Sequence, residues 1–149
     1  MQSSSNANIR ILPDICVLIS HTLSRLIKLG LLHGFEIVIP DFLEFTVDML
    51  CEGRLKSGFY NELDELSKLE DDRLISILYC DYEKPLPMDR ETLIKTEDEY
   101  ILEIAVVTNS ILFTSDKGLK YEATSIKQPV FYFPPKYQKD IKELANNLN

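Results

Sequence analysis

Ile9-Arg-Ile-Leu-Pro-Asp-Ile-Cys-Val-Leu-Ile19 is an apolar run broken in its middle by Pro13 and Asp14. Its first part reads as a β-strand, and Asp14 stands where that strand should end. A carboxylate set in an otherwise apolar stretch is costly to bury unpaired, so it needs a partner or a metal ion.

Working outward, His21 to Leu32 carries Leu23, Leu26, Ile27 and Leu31 at helical spacing, and Gly30 and Gly34 mark its end. Glu36 to Ile39 reads as a second strand. Asp41 is placed to cap a helix running to about Cys51. Gly53 and Gly58 read as breaks, with a third helix from Phe59 to Leu69. Leu74 to Tyr79 is a third strand, and Pro85 and Pro87 form a loop. Asp89 opens helical sequence lasting to about Asn109, with a candidate break near Thr96. Ser110 to Phe113 is a fourth strand, Lys117 to Ala123 a short helix, and Val130 to Phe133 a fifth strand closed by Pro134 and Pro135. Lys136 to Leu148 reads as a terminal helix.

Strands separated by helices imply parallel pairing and right-handed crossovers. The expected fold is α/β, a three-layer α/β/α sandwich around a five-stranded parallel sheet. The expected organisation is a flexible tail over residues 1–8, one domain over 9–135, and a C-terminal helix over 136–149 that packs on or extends it. The polar, uncharged tail lacks the basic and then apolar pattern of a secretory signal.

The composition narrows the class. A chain of 149 residues with 45% apolar residues fits one domain with a sizeable core. No apolar run approaches the ~18–20 residues needed to span a bilayer. The three cysteines, Cys16, Cys51 and Cys80, are odd in number and form no CxxC pair. That argues against a disulfide framework or structural zinc and for a reducing cytoplasm. The net charge of −8 argues against broad phosphate-tracking contact. It still allows a local site where metal ions supply the positive charge.

In doubly wound sheets ligands bind at the carboxyl ends of the strands. Acids stand there. Asp14 follows the first strand, and Asp116 follows the fourth, inside Leu112-Phe-Thr-Ser-Asp116. An Asp in the second position is also a common helix N-cap. Asp98, Ile101 and Ala105 share one helix face, which would turn Asp98 toward the sheet. An ordinary acid in the first turn of a helix is the plainer reading of Asp98. Carboxylates that converge repel one another unless a cation joins them, and Mg²⁺ and Mn²⁺ prefer oxygen ligands. Such an ion activates water and stabilises a leaving oxygen, so metal-assisted phosphodiester hydrolysis is the candidate chemistry.

The order of these pieces resembles a PIN domain, most closely the PIN domain that precedes the ATPase module in certain archaeal fusion proteins. The resemblance runs from Ile11 to Phe133. It rests on Leu-Pro-Asp14 before an apolar helix, Gly34-Phe-Glu-Ile-Val-Ile-Pro40, Gly58-Phe59, Asp98-x-x-Ile101-x-x-x-Ala105 and Thr114-Ser-Asp116. It implies an endonuclease, most often of RNA, in which four acids surround one or two Mg²⁺ or Mn²⁺ ions. Asp14, Asp98 and Asp116 match three of the four, as catalytic and metal-binding residues. Thr114, with Ser115 beside it, matches the hydroxyl residue that accompanies the last Asp.

Two departures stand out. Ile15-Cys16 replaces the family's Thr-Ser after the first Asp, and Thr46 stands where the family carries a Glu. Glu44 and Asp48 lie on a different face of that helix and are weaker substitutes. Two readings follow: a nuclease with a partly degenerate site, or a catalytically inactive PIN-like module for protein binding or oligomerisation. The resemblance also implies self-association. It allows RNA or DNA as partner and, in the toxin use of stand-alone PIN domains, an antitoxin.

Other features have plainer readings. His21 is either near the Asp14 site or a surface histidine at a helix end. His33 is placed to interact with a helix C-terminus. Lys117, Lys120 and Lys127 either attract phosphate or are solvated. Val130-Phe-Tyr-Phe133 is a strand whose aromatics either stack on bases or form an edge contact. Glu62 to Asp72, with Leu63, Leu66 and Leu69, is an amphipathic helix face.

Overall fold

A computed structural model describes residues 9–82 and 84–147. The expected tail over residues 1–8 and the final residues of the terminal helix lie outside the described residues. Five strands, β1 (Arg10–Pro13), β2 (Glu36–Pro40), β3 (Ser76–Cys80), β4 (Ile111–Thr114) and β5 (Val130–Tyr132), pair in the order β3-β2-β1-β4-β5, all parallel. Among the described residues, seven α-helices connect or follow them: α1 (Ile15–Ile19), α2 (Thr22–Lys28), α3 (Phe42–Leu50), α4 (Gly53–Asp71), α5 (Arg90–Val107), α6 (Lys117–Ser125) and α7 (Gln138–Asn146). The architecture is the three-layer α/β/α sandwich. Helices α1, α2, α4 and α7 pack on one another, α5 and α6 lie against β4, α6 also against β5, and α3 touches both α4 and α5.

The central strands are apolar on both faces, as parallel strands sandwiched between helices must be. Leu12, Ile37, Val38 and Leu112 have no exposed surface. The chain runs outward from β1 through β2 to β3, then crosses back to set β4 on the other side of β1. The strand order therefore reverses between β1 and β4, and that switch opens a crevice beyond their carboxyl ends. Pro13, which has no N–H to give, closes β1 where pairing with β2 has already ended, the last β1–β2 pair being Ile11 with Ile37.

Several local expectations change. Gly53 stands at the break between α3 and α4 with a left-handed φ of 57°, but Gly58 does not break the chain: α4 runs from Gly53 through it. The reason is close packing. A Cβ on Gly58 would stand 3.2 Å from the Ile19 carbonyl oxygen at the end of α1. Gly58→Val should therefore force α1 and α4 apart and destabilise the fold by about 1–3 kcal/mol. Urea denaturation would check this, and an unchanged midpoint would contradict it.

Helix α5 passes Thr96 without interruption. The helix expected over His21 to Leu32 is the shorter α2, and a separate helix, α1, precedes it, the two joined at His21, whose φ of 60° is left-handed. Helix α2 ends at Lys28, and His33 Nε2–H donates to Ile27 O at 3.0 Å, closing that end. Asp41 does not cap α3 with its side chain. Its Oδ1 instead accepts from Tyr82 N at 3.1 Å, tying the ends of β2 and β3. A 3-10 turn over Pro135–Tyr137 precedes α7, which packs on α2. No helix among the described residues is long and apolar enough to cross a membrane.

Candidate active site

Asp14 leaves β1 and caps α1. Its Oδ1 accepts from Val17 N at 3.0 Å, and its own N–H donates to Phe113 O at 3.0 Å. Thr114, the last residue of β4, donates its hydroxyl to Asp14 Oδ2 and accepts from Asp116 N at 2.9 Å. Asp116 caps α6, its Oδ1 accepting from Gly118 N at 2.7 Å and Leu119 N at 3.3 Å. One hydroxyl thus links the two acids at the switch point. The capping reading of Asp116 and its place at the site hold together, because its second carboxylate oxygen takes no part in the cap.

Helix α5 contributes the rest. Asp98 is half-buried. Glu97 before it is 8% exposed, and its Oε1 is buried with no hydrogen-bond partner. Asp14, Glu97, Asp98 and Asp116 line one cavity of about 170 Å³, walled by Ile15, Cys16, Thr46, Leu50 and Ile94. Glu97 was not singled out in the sequence. Its signal was there: Leu93, Glu97, Ile101 and Ile104 recur at helical spacing, and all four are buried.

The remaining candidates fall as follows. Thr46 lines the cavity, but its hydroxyl donates to Phe42 O in its own helix at 3.0 Å. Glu44 is exposed and does not line the cavity. Asp48 accepts from Tyr60 OH at 2.9 Å and pairs with Lys56 at 3.3 Å, so α3 sends no acid inward. Ser115 is buried with an unpartnered Oγ and is not among the cavity's lining residues. His21 lies away from these acids. Its Nδ1–H donates to Glu62 Oε1 at 3.0 Å, beside a separate polar cavity with Ser24, Arg25 and Lys28.

The electrostatics follow from four acids in a half-dry cleft. Loss of hydration raises the Asp14 carboxyl from 3.8 to about 6, against the bonds from Thr114 and Val17, and the charges of Asp116 and Asp98 push the same way. Glu97 is raised, chiefly by burial and then by Asp98, and Asp98 is raised by burial. The Cys16 thiol is pushed up to about 12, by desolvation first and then by Asp14, Asp116, Glu97 and Asp98. Since Cys16 is exposed as a residue, the field of these carboxylates is the firmer cause, and the thiol stays protonated at neutral pH.

The sign of the pH dependence follows. Between pH 3.8 and about 6 the folded protein holds a proton on Asp14 that the unfolded chain has released. Stability therefore falls as pH rises through that window and stays lower above it, by about 3 kcal/mol for Asp14. Metal-free protein in EDTA should melt higher at pH 5 than at pH 8, and Mn²⁺ should recover the difference at pH 8. A melting temperature that rises from pH 5 to pH 8 in EDTA would contradict this origin.

The donor set suits a hard divalent cation: carboxylate oxygens, one of them buried without a partner. Among the described residues, however, no three His, Cys, Asp or Glu side chains are gathered tightly enough to hold a metal ion. The fit is one of donor chemistry and of a shared cavity. A larger cavity of about 280 Å³ lies elsewhere, on the sheet face of Ile11, Ile111 and Phe113. It is lined by apolar side chains alone and offers nothing for acid–base or metal chemistry.

No protein-family model matches the chain, and no curated protein matches it. Among solved structures, the chain is similar to a domain of a functionally unknown protein from Methanocaldococcus jannaschii DSM 2661, at 26% identity and a TM-score of 0.69. The match covers 84% of this chain and 91% of that one, so the likeness is one of the whole α/β fold.

Proposed function

We propose that this chain is a PIN-type nuclease that hydrolyses a phosphodiester bond of RNA, or of DNA, with Mg²⁺ or Mn²⁺. The observation that carries the reading is the meeting of Asp14, Asp98 and Asp116 in one cavity at the strand-order switch. Three elements remote in sequence deliver carboxylates to the place where such sheets bind ligands.

Asp14, Asp98 and Asp116 would hold the cation. When bound, it lowers the pKa of a coordinated water and offsets charge on the leaving oxygen. Thr114 fixes Asp14 and the Asp116 backbone relative to each other. Cys16, held as the neutral thiol, takes no part as a nucleophile. Lys117 and Lys120 follow Asp116 on α6 and attract phosphate. The three unpaired thiols support a reducing, cytoplasmic setting.

Incubation of single-stranded RNA of mixed sequence with the protein and Mn²⁺ tests this. Cleavage that EDTA stops and Asp98→Asn reduces about 10–100-fold is expected. Cleavage unchanged in Asp98→Asn would reject it.

A second reading has an observation of its own. Ile9, Leu31 and Phe131 are each about half exposed, and Leu31 and Phe131 line the apolar cavity. This favours a module for self-association, with or without chemistry. Sedimentation of the protein over a concentration series tests it: a monomer at all concentrations would reject it.

A further inference from the structure

Glu97 and Asp98 are consecutive residues of α5, and both line the acidic cavity. They differ in depth. Asp98 is half-buried, whereas Glu97 is 8% exposed and its Oε1 meets no donor. A buried acid oxygen without a partner costs about 1–3 kcal/mol or more, and a leucine there would extend the apolar stripe of Leu93, Ile101 and Ile104 at no such cost. The neighbours explain why the position is open. Helix α3 faces the cavity with Thr46, whose hydroxyl is spent on Phe42 O, while Glu44 and Asp48 point elsewhere. Among the described residues that line the cavity, Oε1 of Glu97 is therefore the one fully buried oxygen that no donor reaches.

We infer that Glu97 is the inner ligand of a divalent cation held between α5 and the ends of β1 and β4. This rests on the metal-site reading above and adds a fourth carboxylate to it, supplied by α5. The cavity of about 170 Å³ leaves room for an ion that keeps several waters, as Mg²⁺ and Mn²⁺ do. Glu97 would hold the ion from its buried position, and the more exposed Asp98 and Asp116 would complete the set. The inner position sets affinity, because Glu97 now bonds only the neighbouring carboxyl of Asp98, a second acid, and a cation would relieve that pair.

Calorimetric titration with Mn²⁺ alone, on wild type, Glu97→Gln and Asp14→Asn, separates the possibilities, with metal-free melting curves as the control for folding. Glu97→Gln should weaken Mn²⁺ binding about 10–100-fold and melt no lower than wild type without metal, since a neutral amide replaces a group costly to charge. If Asp14→Asn abolishes binding while Glu97→Gln binds like wild type, the inner-ligand assignment is overturned and the metal-site reading stands. If Glu97→Gln lowers the metal-free melting temperature as well as binding, Glu97 is a structural residue and the assignment is again overturned. If wild type shows no Mn²⁺ binding, both fall.

Discussion

Asp14→Asn should abolish Mn²⁺-dependent RNA cleavage and at the same time raise the melting temperature of the metal-free protein near pH 7.5. The two effects have one cause. Asp14 is buried between the ends of β1 and β4, and desolvation holds its carboxyl at about 6. Above that pH the fold carries a charge it would be more stable without. Asparagine has the same shape and no charge. Its Oδ1 can still accept from Val17 N, and its amide can donate to Thr114 Oγ1, reversing the present bond. The expected gain is about 1–3 kcal/mol, or several degrees for a chain of this size. The loss of a ligand from the cation site should cut activity by about 100-fold or more, the upper end of what a removed metal-site group costs. A residue kept for structure loses stability when altered, whereas one kept for chemistry can gain it. Asp14→Asn protein that melts lower than wild type without metal would contradict this assignment.

Glu62→Ala should cost about 3–5 kcal/mol and lower the melting temperature by about 10 °C or more. Glu62 is fully buried on α4 and accepts from Ser24 N at 2.9 Å, Ser24 Oγ at 2.6 Å and His21 Nδ1 at 3.0 Å. The first amides of a helix lack partners within it. At the start of α2 the N-cap position is His21, left-handed and without a side-chain cap bond. Glu62 supplies the missing acceptor from a neighbouring helix. Alanine would leave the Ser24 amide buried and unpaired and its hydroxyl with only the 3.3 Å bond to His21 O, with a cavity beside them. The urea midpoint should fall at unchanged slope, while Mn²⁺ binding by the folded protein persists, because Glu62 stands outside the acidic cavity. A loss below about 1 kcal/mol would show that water replaces Glu62 at no cost.

The alternation of strands and helices was legible because parallel strands are short apolar runs and their crossovers carry helical spacing. Asp14 and Asp116 were legible as well, since a strand end fixes where the next residue stands. Three things were hidden, each for a physical reason. Glu97 was missed because the face of α5 was read from Asp98, one position and about 100° away. Glu62 lay inside a strongly acidic stretch that reads as solvated surface. Its burial depends on Ser24 and His21, 38 and 41 residues away. Gly58 looked like a helix breaker because sequence shows its weak propensity and not the Ile19 carbonyl against it. What sequence supplies is the residue order along each element. Which neighbour fills a face is decided by packing.

The central claim is that the acids at the β1–β4 switch bind a divalent cation. Titrating Mn²⁺ into the pure wild-type protein by calorimetry at pH 7.5, beside Asp14→Asn, tests it most directly. Saturable binding below millimolar concentration that disappears in Asp14→Asn is the predicted result. No heat of binding up to millimolar Mn²⁺ in the wild type, with the protein folded, would contradict it.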